Sequence, residues 1–192
     1  FKAKATDWTE PTVIAAAPGE EVIIKGSDVV TGWEKHEGQI WKKPDWRVNS
    51  QLVFANGERL QQIAGEMVPY LTEGGRWRGR VGKSIKDMTA GSFYYDLKVK
   101  VLYVWLKDGS DPNQATMEVG VRPFLLKTES DFLIVKGLKL SQTSTGNYIN
   151  WPAVILTGDH IIFQDNEVTW CDAIGMGFTG RYVEVLNSKF NW

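Results

Sequence analysis

The chain has 192 residues, with 22 Lys+Arg against 23 Asp+Glu and a formal net charge of -1. That length supports one ordinary domain or two small ones. The balanced charge, without a basic block, argues against nucleic acid as the main partner, because phosphate binding needs clustered Lys and Arg. No apolar run is long enough to span a membrane, and a lone Cys171 excludes an internal disulfide.

Nine Trp, six Tyr and eight Phe stand beside nineteen Gly, a composition of turn-rich β-structure with aromatic surfaces. The chain opens on Phe1 without a targeting-type segment and closes on Asn191-Trp192 directly after a strand-like run. Both ends read as cuts in something larger.

In chain order, the first pattern is Thr12-Val13-Ile14-Ala15-Ala16, the turn Pro18-Gly19-Glu20, then Val22-Ile23-Ile24-Lys25-Gly26. It reads as strand, turn, strand. From Gly32 to about Arg122 the pattern changes to hairpins. Asn56-Gly57 lies between strand-like flanks, Leu52–Ala55 and Glu58–Leu60, the strongest short hairpin signal. Residues 58–71 are read as a short helix with Leu60, Ile63, Ala64 and Met67 on one face, against the opposing signals of Gly65 and Pro69. Residues 72–91 look like loop. Phe93–Asp96 and Val101–Leu106, joined by Leu97-Lys98-Val99-Lys100, predict a second hairpin. A turn cluster over Asp108–Asn113 precedes Thr116–Val121, which alternates like a half-buried strand. Trp33, Trp41, Trp46, Trp77 and Trp105 all fall in this segment and are expected in its core and at its margins.

The last third holds a repeat. Leu133-Ile134-Val135-Lys136-Gly137-Leu138-Lys139-Leu140 aligns with Ile161-Ile162-Phe163-Gln164-Asp165-Asn166-Glu167-Val168 and with Val183-Glu184-Val185-Leu186-Asn187-Ser188-Lys189-Phe190. Positions 1, 3 and 8 are apolar, position 5 is Gly, Asp or Asn, and the steps are 28 and 22 residues. Gly, Asp and Asn suit a bend that needs positive φ. A second short strand and a turn precede each of the last two copies, at Ala153–Leu156 with Thr157-Gly158-Asp159 and at Ala173–Met176 with Thr179-Gly180-Arg181. Such a period describes coils of a parallel β-helix, in which equivalent residues stack about 4.7–4.9 Å apart. Two ordinary hairpins in a sandwich are the alternative. The N-terminal pattern supplies a fourth copy when Lys25-Gly26 is laid on Lys136-Gly137, an offset of 111 residues that implies an inserted segment.

Several runs carry a family resemblance: Pro18-Gly19-Glu20-Glu21-Val22-Ile23-Ile24-Lys25-Gly26-Ser27-Asp28, Val53–Leu60, Met88–Asp96 and Leu102–Asn113. The sequence resembles secreted right-handed parallel β-helix proteins of the pectate-lyase-like superfamily. It is similar in arrangement to a β-xylosidase family in which a β-sandwich interrupts the early coils. The resemblance implies an all-β protein, with right-handed parallel β-helix coils interrupted by an inserted antiparallel β-sandwich-like domain. Residues 1–31 would form N-terminal coil, 32–125 the insertion and 126–192 further coils. It also implies a secreted, cell-surface or periplasmic location. In the xylosidase-like relatives the catalytic carboxylates lie on coils after the segment corresponding to residue 192, so no catalytic residue carries over.

The residues themselves supply few candidates for chemistry. Retaining glycosidases need two carboxyl groups about 5–5.5 Å apart and inverting ones about 6.5–9.5 Å. Asp172 precedes a strand at a corner, and the position aligned with it one coil earlier is read as Pro152, which gives no pair. A solvated or turn-capping aspartate is its alternative. Asp159 and Asp165 sit in turns, and Glu167 and Glu184 alternate outward. Arg181 lies in a turn with no acid cluster of calcium-site spacing, so nothing supports a metal-dependent lyase. His160 reads as a hydrogen-bonded turn residue and Cys171 as a buried free thiol.

Aromatic residues suit sugars, because a pyranose presents an apolar C–H face. Tyr148 and Trp151, with Asn147 and Asn150 to meet hydroxyl groups, sit in or beside the polar run that lengthens the first repeat step. Trp170 and Trp192 lie one 22-residue step apart and are expected to stack, as a corner cover or as a platform. The candidate saccharide contacts are therefore Asn147, Tyr148, Asn150, Trp151, Trp170 and Asp172, with no cofactor and no metal. The functional expectation is the N-terminal part of a carbohydrate-active β-helix protein, resembling a glycoside hydrolase or polysaccharide lyase. Its partners would be a polysaccharide or oligosaccharide and the remainder of the helix, supplied by further sequence, another chain or self-association. A non-catalytic glycan-binding, adhesion or structural module is the alternative.

Overall fold

A computed structural model describes residues 5–64, 81–144 and 151–191. The chain is all β: among the described residues the only helical pieces are two single 3-10 turns, at Ile85–Asp87 and Pro112–Gln114. It divides into two compact units, one made of Phe1–Gly26 with Arg122–Trp192 and the other of Ser27–Val121. The Arg122 amide donates to the Gly26 carbonyl at 2.9 Å, so the chain leaves the first unit and returns to it at one place.

The first unit opens with β1 (Thr12–Ala15) and β2 (Val22–Lys25). The second unit follows with β3 (Ser27–Val29), β4 (Glu34–Glu37), β5 (Ile40–Lys43), β6 (Val53–Ala55) and β7 (Glu58–Arg59). It continues through β8 (Gln61–Ile63), β9 (Ser92–Asp96), β10 (Val101–Trp105) and β11 (Met117–Gly120). These strands form a five-stranded sheet, β4-β5-β10-β9-β8, and a four-stranded sheet, β3-β11-β6-β7.

Both expected hairpins form. Asn56 and Gly57 adopt φ of 50° and 80°, which matches the twist of the flanking strands β6 and β7. Strands β9 and β10 pair along five positions, and Asp96 accepts from the Lys98 and Val99 amides inside their connecting turn. The expected helix does not appear in its described part. Residues 58–59 and 61–63 are strand, because the Asn-Gly turn folds β7 back on β6 and β8 then joins β9 in parallel; residues 65–71 lie outside the described residues. Strand β11 is buried along its whole length rather than half-buried, since it is central in its sheet. Trp33, Phe93, Leu102, Val104, Met117 and Val119 lie in one apolar core, with Trp41 and Trp46 packed at its margin. Trp77 lies outside the described residues.

The first unit resumes with β12 (Leu126–Glu129), β13 (Leu133–Lys136) and β14 (Leu138–Thr143). Then come β15 (Pro152–Thr157), β16 (Ile161–Gln164) and β17 (Glu167–Cys171), followed by β18 (Ile174–Thr179), β19 (Val183–Leu186) and β20 (Lys189–Asn191). Every third strand returns to the same sheet. The three resulting parallel sheets are β12-β15-β18, β1-β13-β16-β19 and β2-β14-β17-β20. Leu133, Ile161 and Val183 pair in register, as do Leu140, Val168 and Phe190. These are the steps of 28 and 22 residues that the aligned octets give. Each octet spans two strands and the bend between them, so a repeat holds three strands rather than two. Position 5 is the bend: Gly137, Asp165 and Asn187 have φ of 70°, 53° and 46°.

The N-terminal register differs from the expected one. Ala15, not Lys25, pairs with Lys136, and Lys25 pairs with Ser141. A single residue joins β13 to β14, whereas residues 16–21 join β1 to β2, so one offset cannot align both strands. The interior holds Leu133, Val135, Leu140, Leu156, Ile161 and Phe163, all fully buried. Each contributes about 1.5–3 kcal/mol relative to exposure. Asn166 is the polar pin of this interior. It is 2% exposed, donates its amide to the Val135 carbonyl at 3.0 Å and accepts from the Leu138 amide at 2.9 Å. It therefore ties the β16–β17 bend to the bend of the preceding repeat.

Candidate functional site

Trp151 stands immediately before β15 and is 40% exposed. Pairing of β15 with β12 brings two residues beside it that are distant in sequence. The Phe124 ring lies 6.1 Å away at a tilt of 34°, and the Lys127 Nζ lies 5.9 Å from the indole centroid. The Leu125 amide, which donates to the Ala153 carbonyl at 2.7 Å, fixes this arrangement. An apolar ring pair with an ammonium group at its side can pack a sugar C–H face and donate to a hydroxyl or carboxylate.

Trp170 lies near the end of β17 and Asp172 directly after it, and β17 belongs to a different sheet from β15, which Trp151 precedes. Trp170 is 37% exposed and adopts φ of 49°, between the Ser141–Thr169 and Thr143–Cys171 pairs; Gln142, between their partners, adopts φ of 64°. Two adjacent strands thus bend together at this point. Asp172 is 1% exposed, so it is not a solvated corner residue. The expected alignment of Asp172 with Pro152 is also corrected: Pro152 pairs with Ile174. Asn147, Tyr148 and Asn150 lie outside the described residues, as does Trp192.

Repetition does bring two carboxylates onto adjacent repeats, at Asp131 and Asp159. Both are engaged in structure. Asp131 Oδ1 accepts from the Asp159 amide at 2.7 Å, and Asp159 Oδ1 accepts from the Arg181 amide at 2.8 Å. The Arg181 guanidinium donates to the second oxygen of Asp159 through Nε and Nη2. The Arg181 side chain, then its amide, hold the Asp159 carboxyl below its ordinary range. Asp7, Asp87 and Asp108 are likewise held low by hydrogen bonds from nearby Thr, Lys and Ser residues. A glycosidase acid needs the opposite shift, toward neutrality. Among the described residues, no group of three or more His, Cys, Asp and Glu is placed to hold a metal ion.

Beside that corner runs an aromatic stack that residue-by-residue reading misses. His160 lies 4.6 Å from Phe132 and 4.7 Å from Tyr182, with interplanar angles of 8° and 13°. Trp8 meets Phe132 edge-on at 5.5 Å. All three stacked residues adopt positive φ, at 50°, 60° and 58°. The signal was the repeat itself, since these residues immediately precede the three octets. Cys171 is a buried free thiol, as expected, and burial pushes its pKa up to about 11.

No family model matches the sequence, and no curated protein matches it. Two solved structures share the fold. One, described as the complex structure of XylC with xylose, is 18% identical with a TM-score of 0.55, over 92% of this chain and 34% of that one. The other, described as a glycoside hydrolase, is 12% identical with a TM-score of 0.55, over 83% of this chain and 51% of that one. The chain thus spans about a third and about half of these proteins. At such identities the common property is an all-β fold.

Proposed function

We propose that the chain is the N-terminal part of a secreted, carbohydrate-active protein built on a right-handed parallel β-helix. In this reading residues 27–121 are an inserted β-sandwich-like domain, and the coils present Trp151 to a saccharide. The catalytic carboxylates of the complete protein lie outside residues 1–192. The carrying observation is the three-sheet parallel stack repeating at 28 and 22 residues, in a fold shared with a xylose-bound protein and a glycoside hydrolase. The state of the acids supports the division of labour, because Asp131 and Asp159 are committed to the corner ladder. In the complete protein, further coils cover Ile174, Phe178, Val185, Leu186 and Phe190, large apolar residues exposed on β18, β19 and β20.

A second reading, a glycan-binding module without catalysis, is favoured by an exposed Trp151 together with carboxylates, Asp131 and Asp159, that are engaged in structural hydrogen bonds. Both readings share one test. Calorimetric titration of the full chain with xylohexaose is expected to show binding, weakened roughly tenfold by Trp151→Ala, the scale of one lost aromatic contact. Equal affinity of the two proteins would remove Trp151 from the site.

A further inference from the structure

We propose that the outer face of the five-stranded sheet, centred on Tyr94 and Tyr103, is a second saccharide-binding surface for neutral oligosaccharide chains. It lies in the second unit and does not depend on the Trp151 reading.

The alternation of β9 and β10 divides their side chains. Phe93, Tyr95, Leu102 and Val104 point into the core, which leaves Tyr94 and Tyr103 on the opposite face, half-buried and not needed to fill the interior. Tyr103 pairs directly across strands with Tyr94 on one side and with Lys42 on the other. The two tyrosine rings lie 6.0 Å apart at 16°, and the His36 ring approaches Tyr103 to 5.1 Å. His36 sits where the register between β4 and β5 shifts, between Lys35 and Glu37. Such bulges re-aim a side chain and are over-represented next to functional sites. Three rings, from β4, β10 and β9, therefore form one row that crosses four strands, with β5 between β4 and β10.

The described charges that flank the row give it no surplus positive charge. Lys42 Nζ lies 3.6 Å from Glu34, and Asp96 accepts from its own turn amides. A surface without surplus positive charge does not select a polyanion; it suits a neutral ligand that offers C–H faces to rings and hydroxyls to polar tips. Burial, with Asp96 as the second cause, raises the Tyr94 and Tyr103 pKa values, so both phenols stay protonated donors at neutral pH.

The test titrates the full chain and its variants with xylohexaose, with hexagalacturonate as an anionic competitor. Tyr94→Leu and Tyr103→Leu keep an apolar side chain on the sheet and remove the ring; each is expected to weaken binding roughly tenfold. Tyr103→Phe keeps the ring, is expected to bind within about threefold of the parent, and shows that the sheet tolerates change there. Hexagalacturonate is expected not to compete at the tyrosine face. Unchanged affinity in both Leu variants, with loss only in Trp151→Ala, overturns this proposal and leaves the Trp151 reading standing. Loss only in the tyrosine variants supports this site and removes the other. Absence of xylohexaose binding by the parent chain contradicts both, and displacement by hexagalacturonate from the Trp151→Ala variant, where the tyrosine face remains, contradicts the neutral-ligand assignment.

Discussion

Asn166 carries two backbone hydrogen bonds of the preceding repeat at a fully buried bend. Asn166→Ala leaves a buried amide and a buried carbonyl without those partners, at about 1–3 kcal/mol for each group. Urea denaturation is expected to show a loss of roughly 2–4 kcal/mol; a loss below about 0.5 kcal/mol, the level of an ordinary surface change, would refute the pinning role. Gly158 is a backbone case. Its φ is +139°, and a Cβ there would stand 2.2 Å from the Ser130 carbonyl oxygen. Gly158→Ala is expected to cost roughly 2–4 kcal/mol, the sum of strain and overpacking. Cys171, with its pKa near 11, is expected to resist disulfide-exchange reagents at pH 8 until urea unfolds the chain. At this scale the bend residues Gly137, Asp165 and Asn187 could be read from sequence, because their types favour positive φ. Phe132, His160 and Tyr182 could not, because nothing about a phenylalanine or tyrosine announces that conformation.

At the scale of elements, the corner between strands is held by the Asp131–Asp159–Arg181 ladder. The folded-state pKa of Asp159 is depressed, so its contribution is complete above the ordinary carboxylate range and is lost as pH falls through the lowered value. Asp159→Asn is therefore expected to lower the urea midpoint at neutral pH and to flatten its decline below about pH 4. An identical acid limb in parent and variant would show that the ladder does not act this way. Strand existence was readable wherever turn chemistry was strong, as at Asn56-Gly57, and wherever the octet recurred. The register of β1 and β2 was not, because the longer link between them breaks the fixed offset. The strand character of residues 58–59 and 61–63 was hidden by a helical spacing of Leu60, Ile63 and Ala64, overridden by pairing with β6 and β9.

Across the whole molecule, two units and three parallel sheets account for where the apolar residues lie. Val168, Cys171, Ile174, Met176, Phe178, Val185 and Phe190 line a cleft of about 460 Å³ in the first unit. The native chain is expected to bind and brighten an apolar fluorophore such as anilinonaphthalene sulfonate, as open apolar surface does. Amides of β18–β20 are expected to exchange faster than those of β15–β17, which have strand neighbours on both sides. Slower exchange in β18–β20 would contradict the stacking order. The candidate site was only partly visible beforehand. Trp151 stood out by composition, whereas Phe124 and Lys127 join it through parallel pairing between residues a repeat apart.

The central claim is that this chain recognises saccharide while the bond-breaking acids lie outside it. The direct measurement incubates the full chain with xylan-, pectin- and alginate-derived oligosaccharides and follows reducing ends and unsaturated products. The account predicts binding without turnover. Products formed by the parent chain and abolished by Asp172→Asn would contradict it.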